Sequence, residues 1–327
     1  MLCGQKISTT YPIMFYNAEN LFDLQNDSIH DDDEFLPTSI RRWTPKRYRN
    51  KLVNLARVIA TLGKENIPAI VGLCEIENDS VLHDLTSHSP LKVLGYRFIT
   101  AQTSDARGIR TALLYQPSIF KPLITKSHPI ESAQNRTLLN TRQILHVIGL
   151  SQSRDTLDLF ICHFPSRSGG VASTEPNRIQ ASQRLKQLTD SIATVRNRAY
   201  TIVMGDFNDN PSDESIDLLS RDPSPLHKID HTYSSPFVKG SYKYQEEWFQ
   251  FDQILVSSAL LNKDNSLHLS SHTCYVFSPE YLIENDPTGY GKRPFRTYYG
   301  MKYHGGYSDH LPIYILLNCT IKETEVR

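Results

Sequence analysis

The chain has 327 residues, of which 39% are hydrophobic, enough for one large α/β domain or two smaller ones. Lysine and arginine together number 35, as do aspartate and glutamate, so the sequence lacks the overall positive charge of a protein that coats nucleic acid. The longest apolar runs have the length of strands, and the 5 cysteines have no CxxC spacing, which argues against a transmembrane helix, a disulfide framework and a zinc site.

The first residues of the chain carry no evident targeting signal. Residues 1–5 are too few and too polar for a secretory signal peptide, although a chain from which the signal had been removed would look the same. We therefore expect a soluble monomer, and the sequence leaves open whether it is cytoplasmic or secreted.

Apolar runs of strand length alternate with helical patterns along the chain, as in an α/β protein. Strands are predicted at residues 11–17, 68–74, 96–100, 111–115, 143–150, 157–163, 201–205, 248–257 and 311–317. Helices are predicted from Thr44, an N-cap followed by Pro45, to Gly63; from Asp79; from 175 to 198; and after Ser212. The acidic run at residues 30–34 is expected to be a solvated loop.

The stretch at residues 201–211 is the most informative of the strand ends. An apolar run leads there into Asp206, Phe207 and Asn208. In an extended backbone Asp206 and Asn208 would point to one side and Phe207 to the other. A carboxylate that can deprotonate water would then share a space with an amide that can donate to an oxygen. The same pattern also fits an ordinary turn.

Other strand ends carry ionisable side chains. Glu75 and Glu77 follow the predicted strand at 68–74 and would lie on one face of an extended chain. His163 ends a later strand and precedes a glycine-rich loop that contains Arg167. This histidine is either structural or faces an oxyanion that the loop also binds.

A loop with two arginines lies between the strands predicted at 96–100 and 111–115. Arg107 and Arg110 flank Gly108 there. Arginine is well suited to bidentate phosphate contacts, although a loop arginine is more often solvated. Both interpretations stay open.

Residues 271–306 form a long aromatic segment with little helical or strand periodicity. Loops of this length in compact domains are usually functional or mobile. We predict that the segment forms a rim over the site, in which Lys292, Arg293 and Arg296 face phosphates of the substrate and an aromatic ring stacks on its organic part. The alternative is a solvated surface loop.

The polar residues at the strand ends occur in a characteristic order. They are Asn17 after Phe15-Tyr16, Glu75 in Gly-Leu-Cys-Glu, His163, Asp206 and Asn208 in Gly-Asp-Phe-Asn, Asp252 ahead of Ile-Leu-Val, and Asp309-His310 after Ser308. Over nearly the whole chain this series resembles the signature of the endonuclease/exonuclease/phosphatase superfamily. The resemblance implies an α/β fold of the DNase I type, a four-layer α/β sandwich with two central mixed sheets flanked by helices. It also implies one domain over residues 11–319, with terminal tails at 1–10 and 320–327.

The resemblance implies a divalent metal ion and an activated water, and it leaves open which of the aspartate or histidine groups is the base. Asn17, Glu75 and Asp309 would hold Mg²⁺ or Mn²⁺, ions that prefer oxygen ligands. Asp206 would orient or deprotonate the attacking water, and Asn208 would steady the water or the phosphate.

The resemblance also assigns roles to two histidines. Asp252 would pair with His310 and favour its imidazolium, which neutralises charge on the phosphoryl oxygens. His163 would contact the phosphate or protonate the leaving oxygen. Two alternatives stay open, because Glu77 could replace Glu75 as the ligand, and Glu19 could support the site or merely be exposed.

The implied activity is hydrolysis of a phosphate ester by in-line attack of activated water. A phosphodiesterase or nuclease acting on nucleic acid is the first interpretation, and the same chemistry on a small or lipid-linked phosphate ester is the second. A non-catalytic interaction module on the same fold is the third. Neutral net charge weakens the nuclease interpretation, whereas the aromatic and basic residues of the rim favour it.

Overall fold

Two β-sheets stacked face to face form the centre of the protein in a computed structural model that describes residues 6–62, 67–132 and 137–322. In chain order the strands are β1 (Lys6–Leu21), β2 (Ile70–Ile76), β3 (Arg97–Thr100), β4 (Arg110–Tyr115), β5 (Phe120–His128), β6 (Ile144–Ser151), β7 (Thr156–His163), β8 (Tyr200–Asp206), β9 (Leu226–Lys228), β10 (Asp230–Tyr233), β11 (Tyr242–Tyr244), β12 (Glu247–Phe249), β13 (Asp252–Ser257), β14 (Leu267–Leu269), β15 (Thr273–Val276), β16 (Ile283–Asn285), β17 (Lys292–Pro294), β18 (Tyr298–Tyr299), β19 (Lys302–Tyr303) and β20 (Ile313–Lys322). The helices are α1 (Pro45–Thr61), α2 (Asp79–Ser87), α3 (Val171–Val195), α4 (Glu214–Ser220) and α5 (Ser258–Leu261), with 3₁₀ turns at Asp33–Phe35, Pro90–Leu94 and Glu280–Leu282.

Both large sheets are mixed. The 8-stranded sheet has the order β10-β15-β20-β1-β2-β4-β3, with β14 also paired to β20, and the 6-stranded sheet has the order β5-β6-β7-β8-β13-β9. The pairs β1–β2 and β7–β8 are parallel, and most of the others are antiparallel. Short hairpins β11–β12, β16–β17 and β18–β19 stand outside the two sheets.

Helices cover the outer faces of the two sheets and complete four layers. Along β8, Ile202 and Met204 join the core between the sheets, whereas Val203 joins a second core with α3 and α4. This alternation is the period of a strand that is buried on both faces. The α/β sandwich predicted from the sequence is therefore confirmed. None of the helices in the described part of the chain has the length and apolar sequence that crossing a bilayer requires.

Some predicted elements have different limits in the structure. Helix α3 begins at Val171 instead of residue 175, and the N-cap of α4 is Asp213 instead of Ser212. The predicted end of α1 at Gly63 lies outside the described residues. Strands β1 and β20 continue beyond residues 11 and 319, the predicted limits of the domain.

Other segments differ in kind from their prediction. The acidic run is not a fully solvated loop, because it contains a 3₁₀ turn and Asp32 is buried. Strand β5 was not predicted; it carries Pro122, which an edge strand tolerates, and its side chains are largely exposed. The predicted strand at 248–257 is divided between β12 and β13. The segment at 271–306 contains β15 and two hairpins, whose strands are too short to give a periodic pattern.

The partly buried His231 on β10, whose ring atom Nδ1 is buried without a hydrogen-bond partner among the described residues, predicts that acid contributes to unfolding. Burial lowers the pKa of His231 to about 4, below its usual 6.5. The unfolded chain therefore takes up this proton first, so the stabilisation is fully present above pH 6.5 and is lost as the pH falls towards 4. Between pH 6.5 and 4 we expect the free energy of unfolding of wild type to fall by roughly 1 kcal/mol per pH unit relative to that of His231→Leu.

Urea unfolding of both proteins between pH 7.5 and 5 measures this difference. We compare wild type with the variant, because buried carboxylates with raised pKa values stabilise the folded protein as the pH falls and would mask the effect of His231 in wild type alone. His272→Leu, which changes an exposed histidine, is the matched control and should follow wild type. A stability difference between wild type and His231→Leu that is independent of pH would contradict the prediction.

Candidate active site

Three neighbouring strands of the six-stranded sheet have polar side chains at one edge. His163 ends β7, Asp206 ends β8, and Asp252 begins β13. The strand register pairs Asp206 with both His163 and Asp252. The three side chains therefore meet at the same end of the sheet.

Asp206 lies at the centre of this group and is buried. Its Oδ2 accepts a hydrogen bond from Asn17 Nδ2 at 3.0 Å, and its Oδ1 accepts one from the backbone N–H of Asn208 at 3.0 Å. The Nε2 atoms of His163 and His310 each lie 3.7 Å from Oδ2. Burial raises the pKa of Asp206 to about 7, although the charge of His310 acts against the shift. A carboxyl group with this pKa can accept a proton from water near neutral pH.

His310 and Asp252 form a buried pair next to Asp206. His310 Nδ1 lies 2.7 Å from Asp252 Oδ2. Burial alone would lower the pKa of His310, but the carboxylates of Asp252 and Asp206 outweigh it and raise the pKa to about 10. The ring of Tyr242 packs on the imidazole with a centroid distance of 4.7 Å. His310 is therefore a fixed cation at neutral pH.

His163 has the opposite charge state. Burial, with the nearby guanidinium of Arg142, holds the pKa of His163 well below its usual value. Its Nδ1 is buried and has no hydrogen-bond partner among the described residues. A neutral imidazole can donate an N–H to a phosphate oxygen, but it is a poor source of a proton for a leaving group.

Asn208 does not continue the extended backbone of β8. It has a φ of 53°, in the left-handed region, so the expectation that Asp206 and Asn208 project from an extended strand is wrong. Asparagine tolerates this conformation better than most residues. Its Nδ2 donates to the carbonyl of Phe164 at 3.0 Å, and its N–H donates to Asp206. Asn208 therefore fixes the Asp206 carboxylate and leaves its second amide hydrogen for another acceptor.

Glu75 and Glu77 do not share a face. Glu75 has a φ of 59°, and the pairing of β2 with β4 shifts between Leu73 and Ile76. Glu75 Oε2 accepts from the backbone N–H of Asn20 at 2.8 Å, whereas Glu77 Oε2 accepts from that of Asp23 at 2.6 Å. The expected alternation of side chains is lost at this bulge.

Asn17, Glu75 and Asp309 are brought towards one place. Asn17 Nδ2 lies 3.5 Å from Glu75 Oε1, and Ser308 Oγ donates to the backbone carbonyl of Asn17 at 2.7 Å. The carboxylate of the next residue, Asp309, is partly exposed and lies 3.4 Å from Arg296 Nη2. Glu75 is also partly exposed and forms no ion pair with any described residue.

These oxygen donors fit a hard divalent cation better than the buried triad of Asp206, Asp252 and His310 does. Ligand atoms of the triad lie within 4.8 Å of one another. However, Nδ1 of His310 is engaged by Asp252 and the ring is protonated at neutral pH, whereas a ligating imidazole must be neutral. Glu75 and Asp309 have accessible carboxylates, which suit Mg²⁺ or Mn²⁺.

The predicted phosphate-binding arginines lie in different environments. Arg167 donates to the carbonyl of Asn208 at 2.7 Å and pairs with Asp209, so it supports the loop after β8. Arg293 is buried and pairs with Glu284 at 2.7 Å.

The other three arginines lie closer to the candidate metal ligands. Arg107 is 44% exposed and its Nη1 donates to Asn20 Oδ1 at 3.2 Å, beside Glu75. Arg110 is the first residue of β4 and is paired in register with Ile76. Arg296 lies next to Asp309.

A buried Lys51–Glu19 pair supports the site, and the sequence indicates only the Glu19 half of it. Lys51 on α1 donates from Nζ to Thr297 Oγ1 and to the carbonyl of Tyr307, both at 2.6 Å. Glu19 accepts from the backbone N–H of Thr297 at 2.7 Å and lies 3.6 Å from Lys51 Nζ. The pair holds the segment that leads to Asp309. The only sequence signal for Lys51 is that it falls on the apolar stripe of its helix.

Comparisons with known proteins give one family. The sequence profile of the Endonuclease/Exonuclease/phosphatase family matches residues 12–319. A search of curated proteins gives no match.

Solved structures with the same fold cover nearly the whole chain. An endonuclease/exonuclease/phosphatase family protein from Bacteroides thetaiotaomicron is 14% identical, with a TM-score of 0.59 and coverage of 96% of this chain and 99% of that one. A mannosyl-6-phosphatase from the same organism is 16% identical, with a TM-score of 0.58 and coverage of 94% and 99%. D. rerio TDP2, solved with a single-strand DNA product, is 15% identical, with a TM-score of 0.55 and coverage of 94% and 99%. At these identities the likeness concerns the fold.

Proposed function

Because this chain belongs to the endonuclease/exonuclease/phosphatase family and is a phosphoesterase, we propose that it hydrolyses its ester by in-line attack of water and depends on Mg²⁺ or Mn²⁺. The observation that carries the proposal is the position of Asp206. This carboxyl group has a pKa near neutrality and lies between a neutral His163 and a cationic His310. A base, a neutral donor and a cation around one point are the groups that phosphoryl transfer to water requires.

Asn17, Glu75 and Asp309 are the residues that would hold the metal ion. Two carboxylates and an amide oxygen make up the kind of donor set that Mg²⁺ and Mn²⁺ prefer. In this structure Asn17 Oδ1 accepts from the backbone N–H of Glu19 at 2.9 Å, so its amide group would have to turn to offer that oxygen to the ion. The bound ion would act as a Lewis acid on the phosphoryl oxygen.

Glu77 is assigned no ligand role, because it is buried and lies away from Asn17 with its carboxylate bound to the backbone N–H of Asp23. Glu75, in contrast, is partly exposed and lies beside Asn17.

The side chains divide the reaction between them. Asp206 takes the proton of the water as the water oxygen forms its bond to phosphorus and the bond from phosphorus to the ester oxygen breaks. Asn17 and Asn208 hold the carboxylate in place. His310 neutralises charge on a phosphoryl oxygen, and His163 donates an N–H to another. The departing oxygen takes a proton from solvent.

Arg107 and Arg296 are the arginines that we assign to phosphate contacts of the substrate. Arg296 is partly exposed and lies 3.4 Å from Asp309. Arg107 is exposed and donates to Asn20, the residue whose backbone N–H binds Glu75. The Nε of Arg107 lies 3.6 Å from Asp105 Oδ1. Arg110 is a weaker candidate at the same edge. Arg167 and Arg293 are held by carboxylates of the protein and are assigned to the support of the surrounding loops.

Two substrate classes follow from different observations. Exposed rings such as Tyr244 and Tyr299 near Arg296 and Lys292 support nucleic acid, whose bases could stack on them, and one similar structure holds a single-strand DNA product. The zero net charge and the pairing of most cations near the site support a small phosphate ester, and another similar structure is a mannosyl-6-phosphatase. We favour the small ester. No observation favours a lipid-linked one.

The proposal is tested by assaying the protein against supercoiled and single-stranded DNA, RNA, bis-p-nitrophenyl phosphate and sugar phosphates. Each substrate is assayed with Mg²⁺, with Mn²⁺ and with EDTA. We expect metal-dependent release of product from at least one small ester. No turnover of any ester with either metal would overturn the proposal.

A further inference from the structure

A pocket lies directly beside the candidate active site. It has a volume of about 440 Å³ and is formed by the β11–β12 hairpin on one side and residues 286–299 on the other. Arg296 lines the pocket and also contacts Asp309, and Tyr242, in the same hairpin, packs on His310. An ester bound at Asp309 and His310 would therefore extend its organic part into this pocket.

We infer that this pocket selects a phosphorylated carbohydrate as the substrate by binding the hydroxyl groups of its sugar. The inference rests on the proposed function. The volume suits a sugar-sized ligand, since small-molecule pockets occupy ~300–1,000 Å³. The argument rests on the charge, the hydrogen-bonding groups and the rings of the wall.

Two of the three cations of the pocket, Lys243 and Arg293, are already neutralised by the protein. The third, Arg296, lies at the end next to Asp309. Lys243 Nζ lies 3.3 Å from Asp286 Oδ2 and also donates to the carbonyl of Lys292 at 3.1 Å. Arg293 pairs with Glu284 at 2.7 Å. Both basic side chains are only 5% exposed. A second phosphate would have to compete with these carboxylates, so the pocket favours a neutral group over a polyanion.

The remaining polar groups match hydroxyls. Glu246 and Gln245 lie on the turn of the hairpin, and Thr288 lies opposite them. Carboxylate and amide oxygens accept hydrogen bonds from hydroxyl groups, and the amide N–H₂ of Gln245 can donate. The hydroxyl of Thr288 already donates to Asp286 Oδ1 at 2.6 Å, so it offers the ligand only an acceptor oxygen. Glu246 shares its carboxylate with Tyr290. A ligand that carries several hydroxyl groups offers both donors and acceptors to such a wall.

Tyrosine rings border the opening. Tyr244, Tyr290 and Tyr299 are 59%, 51% and 44% exposed, and one face of Tyr299 is covered by Arg293 at 4.3 Å. A tyrosine ring provides an apolar surface with a polar tip. The apolar C–H face of a sugar can pack on such a ring while its hydroxyls reach the polar wall.

The test compares esters that differ in the leaving group. Glucose 6-phosphate, mannose 6-phosphate, phenyl phosphate, adenosine 5′-monophosphate and a single-stranded oligodeoxynucleotide are assayed with Mg²⁺. We expect kcat/KM for the better hexose phosphate to exceed that for phenyl phosphate by about tenfold or more although phenolate is the better leaving group, because the phenyl ring has no hydroxyl groups for the wall to bind. A preference for the nucleotide or the oligonucleotide would overturn the inference.

Two variants locate the preference in the pocket. Tyr290→Ala and Glu246→Gln should each raise KM for the preferred hexose phosphate about fivefold or more, with a much smaller effect on phenyl phosphate. Phe237→Ala is the matched control, because Phe237 is a similarly exposed ring that does not line this pocket. Equal effects of the variants on both esters, or none, would refute the assignment.

Failure of this inference is distinguishable from failure of the proposed function. Metal-dependent hydrolysis of phenyl phosphate without preference for either hexose phosphate would reject the carbohydrate pocket and leave the phosphoesterase mechanism in place. Inactivity towards all five compounds and towards the esters that test the proposed function, with Mg²⁺ and with Mn²⁺, would reject the mechanism as well.

Discussion

Asp206→Asn should lower kcat by about 10³-fold and leave KM within a factor of a few. Asparagine keeps the shape of the side chain and can still accept the hydrogen bond from Asn17, but it cannot take a proton from water. The loss should therefore fall on the chemical step. Steady-state kinetics on the best small ester, together with the thermal midpoint of each protein, measures it.

Asp158→Asn is the matched control for Asp206. Asp158 is a fully buried carboxylate on β7 of the same sheet. Its Oδ1 lies 2.9 Å from His146 Nε2, and Asp158 is assigned no part in the reaction. This variant should lose stability and keep its kcat. A wild-type kcat in Asp206→Asn would remove this carboxylate from the reaction.

His310→Ala should lower kcat by about 10² or more, because the cation that faces the phosphoryl oxygens is removed. Asp252→Asn should have a milder, pH-dependent effect. Its neutral amide no longer holds the pKa of His310 near 10, so the imidazolium is lost at a lower pH as the pH rises. The alkaline limb of the pH–rate profile should then move to lower pH, with turnover closer to wild type at pH 6 than at pH 9.

The double variant Asp252→Asn/His310→Ala tests whether the two residues act as a unit. It should be no slower than His310→Ala alone, since Asp252 acts through the histidine. Additive losses would give Asp252 a separate role. An unchanged pH profile in Asp252→Asn would contradict the proposed origin of the His310 charge.

The sequence predicts the architecture because polar candidate residues occur in a fixed order near the ends of apolar strands. Apolar runs mark β1, β2, β7, β8, β13 and β20. Each candidate catalytic or metal-binding residue lies towards or just beyond the end of one of these strands, at its first residue, or just before it. Parallel and antiparallel pairing then brings these ends to one edge. The order of polar residues therefore predicts both the fold and the composition of the site.

Local backbone conformation is where prediction from the sequence fails. Glu75 and Asn208 both have a positive φ, so the alternation of side chains that the sequence suggests does not hold at either residue. No composition rule distinguishes Glu75 from Glu77 without that bulge. The hairpins of the 271–306 segment escape prediction because strands of two or three residues have no measurable period.

Whether a charged side chain is free to bind a ligand depends on ion-pair partners that are distant in the sequence. Arg293 belongs to a basic stretch that predicts phosphate binding, yet Glu284 on the facing strand of its hairpin neutralises it. Lys51 reaches Thr297 and Tyr307, which lie far along the chain. These pairings depend on tertiary structure, so the sequence alone does not reveal them.

The most direct test compares phosphate ester hydrolysis by wild type, Glu75→Gln and Glu77→Gln as Mg²⁺ is titrated from an EDTA-treated start. Glutamine at either position keeps the size of the side chain, and at 77 it can still accept the hydrogen bond from Asp23. We predict that wild type and Glu77→Gln are inactive in EDTA and recover with Mg²⁺, while Glu75→Gln remains folded and inactive at every concentration. Full activity of wild type in EDTA, or wild-type recovery of Glu75→Gln, would contradict a metal-dependent phosphoesterase centred on this site.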